Sequence, residues 1–335
     1  MVFSVKKVIQ IAVLSVCAAI ILASCGETKS DNAYTISGIL PEGVDSEWVY
    51  MYKNNEYEHP IDSARIKDGG FVLKGAVDTV AFVTLHAGAV TDNPAFSWNL
   101  ILEPGAIAVD SANMFASGTP LNDGLADWMG QLLYMPDTLL HTFFMEHWAE
   151  HSGDFLGPFC LNVFAPYLDF SFVDSLMSAT DPELRNNPTL APFYEQLDAV
   201  REMQPGKTFK DIELQTLQGE AVHLSDYIGK GDKVLVDFWA SWCGPCRQAI
   251  PEIQKVIAKH KDIKVLGVAI NDKPVNTQKA IEQLAITWPV ISDPNILTAK
   301  AYGFMAIPAM ILFDADGVIL ARDFHVDGLE ELLSK

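Results

Sequence analysis

The sequence predicts a mixed α/β protein of more than one domain, and three patterns carry that expectation. Residues 34–110 alternate apolar and polar side chains in short runs separated by turn residues. Residues 121–203 place apolar side chains at helical spacing. Residues 205–335 alternate strand-like and helix-like runs. Strands bunched first, with helices interleaved only later, point to an antiparallel β-sandwich, then a helical connector, then an α/β domain with a mixed central sheet. A chain of 335 residues that is 49% hydrophobic has material for two or three cores. The expected divisions are a signal peptide at 1–24, a tether at 25–33, the β-sandwich at 34–118, the connector at 119–204 and the α/β domain at 205–335.

Lys6 and Lys7 precede an uncharged, mostly apolar run at 8–23, which is the layout of an export signal. The run ends at Leu22, Ala23, Ser24 and Cys25. This resembles a lipoprotein signal-peptidase box, in which the cysteine sulfur takes a diacylglycerol before cleavage. Cys25 is therefore the expected lipid attachment site. The alternative is an uncleaved anchor, for which the run is near the short limit of a span. Gly26 follows, with no Asp in its place, which favours the outer membrane. The expected location is the cell envelope, lipid-anchored and facing the periplasm. A formal charge of −20 disfavours nucleic acid and anionic membrane surfaces as electrostatic partners.

The chain has five cysteines. Cys17 lies in the signal and Cys25 at its end, which leaves Cys160, Cys243 and Cys246, too few for a disulfide-rich scaffold. No second Cys-x-x-Cys and no nearby histidine pair completes a tetrahedral zinc site. No metal and no cofactor is expected.

Residues 34–40, 48–52, 61–66, 71–75 and 81–85 read as strands, 41–43 and 67–70 as turns, and 99–110 as a last strand–turn–strand. Helical spacing follows at 125–133 and 142–151. Pro182 and Pro192 sit near the first turns of two further helices. Phe155, Phe159, Phe164, Tyr167, Phe170 and Phe172 crowd one stretch of the connector. They read first as core, and otherwise as a homodimer or client-binding surface. His147 and His151 have the i, i+4 spacing of a metal pair but lack the Glu beside the first His of a zinc protease motif, so they read as surface histidines. Cys160 reads as an inert buried thiol rather than half of a regulatory disulfide.

In the last domain, 209–217 and 221–224 form a hairpin, 234–238 a central strand, 265–270 its neighbour, 276–284 a helix, and 309–313 with 318–321 a second hairpin across residues 314–317. Ala249, Ile250, Ile253, Val256 and Ile257 make one apolar helix face. The central strand runs directly into Cys243-Gly-Pro-Cys246, which opens that helix. A thiol at a helix N-terminus meets partial positive charge and free N–H groups, which lower its pKa and make it a nucleophile. Cys243 is expected to face outward, with Cys246 one turn behind to resolve what Cys243 attacks. The chemistry indicated is thiol–disulfide exchange. Pro245 lies just inside the helix, where a missing N–H costs little. Pro251 lies in the interior and predicts a kink. Asp237 interrupts the apolar strand on the face shared by Leu235 and Trp239. A buried carboxyl there has a raised pKa and can accept a proton near neutral pH.

Residues 237–246, DFWASWCGPC, resemble the active-site segment of thioredoxins, and Ile307-Pro308 resembles the cis-proline loop of the same superfamily. The interval between them suits the strand–helix insertion of the envelope group called TlpA/ResA-like. The resemblance covers the last domain. It implies that Cys243 attacks, that Cys246 resolves, and that Asp237 assists deprotonation of Cys246. It also implies that cis-Pro308 leaves the Ile307 backbone free to pair with an extended client segment. Trp242, Gly244 and Pro245 would shape the docking surface, with Trp239 structural. One departure is notable. Many TlpA/ResA-like proteins carry Glu three residues after the second cysteine and lack the strand Asp. Here the first position is Ala249, the Asp is present, and Glu252 has a different helix phase, so the chain resembles the thioredoxin solution. The Gly-Pro dipeptide also matches thioredoxin, whose potential is about −270 mV. That implies a reductant of disulfide-containing client proteins, recharged by a membrane thiol electron donor. The pattern at 34–118 resembles an uncharacterised β-domain that precedes thioredoxin domains in envelope lipoproteins, and it implies no activity. Two rival expectations are a thiol peroxidase of the peroxiredoxin type, whose Pro/Thr-rich attacking-cysteine loop is absent here, and a non-enzymatic binding or assembly lipoprotein.

Overall fold

The computed structural model describes residues 31–53, 56–88, 96–324 and 326–333. The expected signal peptide, the lipid site Cys25 and most of the tether lie outside the described residues. The chain divides into two compact units, one running to Gln131 and one from Leu132.

The first unit is built on seven strands: β1 (Ala33–Ile39), β2 (Trp48–Lys53), β3 (Asp62–Arg65), β4 (Gly70–Ala76), β5 (Ala81–Ala87), β6 (Phe96–Leu102) and β7 (Gly105–Val109). They form a three-stranded sheet, β4-β1-β7, and a four-stranded sheet, β3-β2-β5-β6. Alternation along the strands turns Ile36, Phe71 and Leu73 of the first sheet, and Met51, Leu85, Trp98 and Leu100 of the second, into one shared core. The four-stranded sheet is antiparallel throughout. The smaller sheet departs from the expected pattern, because β1 pairs with β7 in parallel, Ile36 opposite Ile107. The turn after β6 carries the chain from one sheet to the other, so β7 arrives beside β1 running the same way. Gly105 makes that turn at φ 132°, and a Cβ there would lie 2.8 Å from Thr119 Cγ2. Helix α1 (Pro120–Leu132) follows. Its first N–H groups, at Leu121 and Asn122, donate to the buried carboxylate of Glu103 at 2.9 and 3.0 Å.

The second unit opens with helices α2 (Asp137–His151), α3 (Leu156–Phe164), α4 (Phe170–Ser178) and α5 (Ala191–Glu202). Short 3-10 turns at Ala165–Tyr167 and Pro182–Asn186 link them. Phe155, Phe159 and Phe164 are core, Phe170 and Phe172 are half-buried, and Tyr167 keeps 62% of its surface exposed. His147 Nδ1 lies 2.8 Å from the Phe143 carbonyl and His151 Nδ1 lies 2.8 Å from Asp154 Oδ2, so both rings are engaged locally. Burial pushes the Cys160 thiol pKa well up.

A seven-stranded sheet then follows in the order β14-β13-β10-β11-β12-β8-β9. Its strands are β8 (Glu213–Thr216), β9 (Ala221–His223), β10 (Lys233–Trp239), β11 (Ile263–Ile270), β12 (Val290–Asp293), β13 (Ala309–Phe313) and β14 (Ile319–Arg322). β10 lies parallel to β11 and antiparallel to β13, which gives the mixed centre expected. Buried on both faces, β10 reads as a continuous apolar run broken only by Asp237. Val234, Val236 and Phe238 face one core, and Leu235 and Trp239 the other. Helix α6 (Gly244–Lys259) covers the second face with Ile250, Ile253 and Val256, while Ala249 and Ile257 sit half-buried at its margin. The helix continues unbroken through the exposed Pro251. Helices α7 (Pro274–Gln283), α8 (Leu297–Tyr302) and α9 (Val326–Leu333) complete the unit.

Helix α5 packs on α8, and the contact is close. Gly303, at φ 74°, ends α8, and a Cβ there would meet the Val200 backbone nitrogen at 2.6 Å and the Gln196 carbonyl at 2.7 Å. Both facts require glycine. The Gln196 side-chain amide donates to the Phe304 carbonyl at 3.0 Å. The connector is therefore fastened to the segment that leads into Pro308.

Candidate active site

Cys243 and Cys246 are joined in a disulfide at the head of α6. Cys243 is the N-cap, and the Cys246 backbone N–H points at its Sγ over 3.2 Å. The turn is held from several sides. Asp272, just after β11, accepts the Ser241 N–H at 2.7 Å and the Ser241 hydroxyl at 2.9 Å. The Trp242 indole N–H donates to the Asn271 carbonyl at 3.1 Å, and Arg247 donates to Gln283 at 2.9 Å. The sequence reading missed Asp272. Its signal in the sequence is an Asn-Asp pair just past a buried strand, and Asn271 there adopts a left-handed φ of 46°.

The Ile307–Pro308 peptide is cis, as expected. Its loop lies against the disulfide, with the Ile307 carbonyl oxygen 3.7 Å from Cys243 Sγ. The expectation of an outward-facing Cys243 needs correction here. Cys243 is the less buried of the pair, but it keeps only 5% of its surface against 1% for Cys246. Ile307 packs against the apolar clusters on both faces of the sheet, one of which contains both cysteines. Around this covered pair, Trp242, Gly244, Pro245 and Pro308 are exposed and Ile307 is half-buried. Trp239 is fully buried beneath them.

Asp237 is buried on β10, opposite Gly267 of β11 and Met310 of β13. Burial alone raises its pKa to about 7. The residue opposite has no side chain, and the buried Trp239 and Trp288 indole nitrogens both come near the point where a Gly267 Cβ would be, at 3.1 and 3.3 Å. Among the described residues, no group of His, Cys, Asp and Glu could hold a metal ion, and no helix is long and apolar enough to cross a membrane.

A disulfide at a helix N-terminus, against a cis-proline loop at one end of a mixed sheet, defines a thioredoxin-like redox site. Through its C-terminal part the chain belongs to the thioredoxin-like thiol–disulfide oxidoreductases. The AhpC/TSA family model matches residues 205–322, and the model of a domain of unknown function, DUF4369, matches residues 34–125. Among similar proteins, the thioredoxin-like protein YneN of Bacillus subtilis is 36% identical over 129 residues, covering 37% of this chain and 72% of its own. The thiol-disulfide oxidoreductase ResA of Geobacillus thermodenitrificans is 31% identical over 131 residues, covering 38% and 72%. The thioredoxin domain of a thiol-disulfide oxidoreductase from Bacteroides vulgatus is a solved structure 29% identical to this chain. It covers 39% of this chain and 95% of its own, with a TM-score of 0.35.

Proposed function

We propose that this protein reduces the disulfides of client proteins in the cell envelope. The observation that carries the reading is the Cys243–Cys246 disulfide at the head of α6, with a backbone N–H aimed at Cys243 Sγ. In the reduced protein that N–H and the helix terminus favour the Cys243 thiolate. The thiolate attacks one sulfur of a client disulfide. The client S–S bond breaks, its second sulfur leaves as a thiolate that takes up a proton, and Cys243 is held in a mixed disulfide. Asp237, with a pKa near neutrality, takes the Cys246 proton. The Cys246 thiolate attacks Cys243 Sγ and releases the second client thiol. The client gains two electrons and the Cys243–Cys246 pair loses two, which a membrane thiol donor restores. Trp242, Gly244, Pro245, Ile307 and Pro308 form the docking rim. In this reading residues 205–335 are the redox domain, 119–204 the connector and 34–118 an accessory β-domain.

The address rests on the sequence at 22–25, where Cys25 would carry the lipid. Metabolic labelling with palmitate tests the anchor, and label that persists in Cys25→Ala would sink it. The function is tested by a Cys246→Ser variant incubated with oxidised client extract. It should accumulate mixed disulfides on Cys243, and the absence of any adduct overturns the order of attack. Redox titration tests the direction. A potential near −270 mV fits a reductant, and one near −120 mV reverses the assignment.

A further inference from the structure

Residues 165–170 of the connector do something that thiol chemistry alone does not require. They form one wall of a cleft of about 520 Å³, whose other wall is the segment leading into Pro308. Tyr167 and Phe170 stand on the connector side, and Met305 and Pro308 on the loop side. We propose that this cleft recognises an extended, cationic segment of the client polypeptide next to its disulfide. The proposal rests on the thiol–disulfide reading above and adds the class of client.

Position is the first argument. Pro308 lines the cleft, and the preceding residue carries the carbonyl 3.7 Å from Cys243 Sγ. A client chain advances about 3.3 Å per residue when extended, so one whose cysteine reaches Cys243 enters the cleft within a residue or two.

Charge is the second. Asp137 and Asp169 are both exposed and both line the cleft. Among the described residues Asp169 is paired with His141, whose Nε2 lies 3.4 Å away. The cleft's arginine, Arg322, is already committed. Its Nε donates to Asp323 at 2.6 Å and its Nη1 to the Met203 carbonyl at 3.0 Å. Two carboxylates are left facing a half-apolar channel in a chain of formal charge −20. That arrangement attracts lysine- or arginine-bearing segments and repels acidic ones.

Preorganisation is the third. Gln196 and the Gly303–Val200 contact fix the connector wall to the loop wall, so the cleft exists before a client arrives.

The test uses the full reduced chain at pH 8, above the ordinary imidazole range. Its substrates are two disulfide-bearing peptides of equal length, one with lysines and a leucine flanking the cysteine and one with glutamates, together with bis(2-hydroxyethyl) disulfide. The lysine peptide should be reduced with a kcat/KM about tenfold above the glutamate peptide. Asp137→Lys with Asp169→Lys should abolish or invert that ratio, and the milder Asp137→Asn with Asp169→Asn should flatten it, which covers a misfolded reversal variant. Tyr167→Ala should lower the ratio of lysine-peptide to hydroxyethyl-disulfide turnover about fivefold. Tyr134→Ala, an exposed tyrosine outside the cleft, should leave every ratio in place. Equal rates for the two peptides, or a preference that survives charge reversal, overturns the proposal while hydroxyethyl disulfide turnover keeps the parent reading intact. A chain that reduces none of the three substrates overturns both. Sedimentation showing a dimer that Tyr167→Ala dissociates would assign the cleft to a second copy and also overturn it.

Discussion

Asp237 stands where a carboxylate is costly, in the middle of a central strand, and its environment sets both its chemistry and its effect on stability. Unfolded, the carboxyl ionises at about pH 3.9. Folded, it holds its proton to about pH 7. Between those values the folded state binds a proton that the unfolded state has lost, so this residue's contribution to stability falls as pH rises through the window and levels off above pH 7. Asp237→Asn removes that slope. Urea denaturation should find variant and wild type nearly equal at pH 4, with the variant more stable at pH 8 by on the order of 2–4 kcal/mol. The same variant should reduce clients about 10²-fold more slowly at pH 7, because Cys246 loses its base. Equal stability at pH 8 would place the carboxyl in a better-solvated site than its burial implies.

Two elements carry the cysteines and Asp237, and the sequence reveals them better than it reveals what surrounds them. The strand β10 and the helix α6 follow one another closely, and their own features lie within residues 234–256: the apolar run, the Asp that breaks it, the Cys-Gly-Pro-Cys cap, and the inward Ile250, Ile253 and Val256. Local pattern suffices there. The brackets around the turn were not legible, because they come from far along the chain. Asp272 reaches back to Ser241, and Gln196 reaches forward to Phe304. β12 and α8 were missed because each is short and owes its form to tertiary contacts. The buried Asp293 accepts the Leu297 and Thr298 N–H groups at 2.9 and 2.7 Å and so starts α8 without a recognisable cap. Gly303 is the sharpest case, since in sequence it is an ordinary helix-ending glycine. Gly303→Ala should lower stability by about 2 kcal/mol, from left-handed strain plus the clash with the Val200 backbone. Gly328→Ala, in open space within α9, should be neutral or slightly stabilising in the same urea titration. Equal midpoints for the two variants would mean that the α5 contact yields easily.

At the scale of the molecule, the chain separates reactive sulfur from inert sulfur by position and not by depth, since Cys246 and Cys160 are almost equally buried. The Cys243–Cys246 pair sits under one loop with an exposed rim, whereas Cys160 is buried within α3 of the connector, with its thiol pKa raised by burial. After reduction, iodoacetamide should label Cys243 in the native protein, and Cys246 and Cys160 only once urea unfolds it, as read by mass spectrometry of the peptides. Native labelling of Cys160 would mean that the connector opens on its own. The two-sheet architecture of the first unit followed from strand alternation, but the parallel β1–β7 pair did not, since direction depends on which sheet a strand joins. Of the aromatics at 155–172, Phe155, Phe159 and Phe164 are core, Tyr167 and Phe170 line the cleft, and Phe172 packs edge-on against His141, a division that spacing alone does not encode.

Because residue 303 is bare, helix α5 and the proline loop meet main chain to main chain. A seam of that kind cannot be recut by exchanging side chains, so its two halves must be inherited together. Residues 205–335 therefore lean on α5 for part of their support. Transplanted without that helix onto another carrier, they would arrive with the proline loop unsupported along one edge.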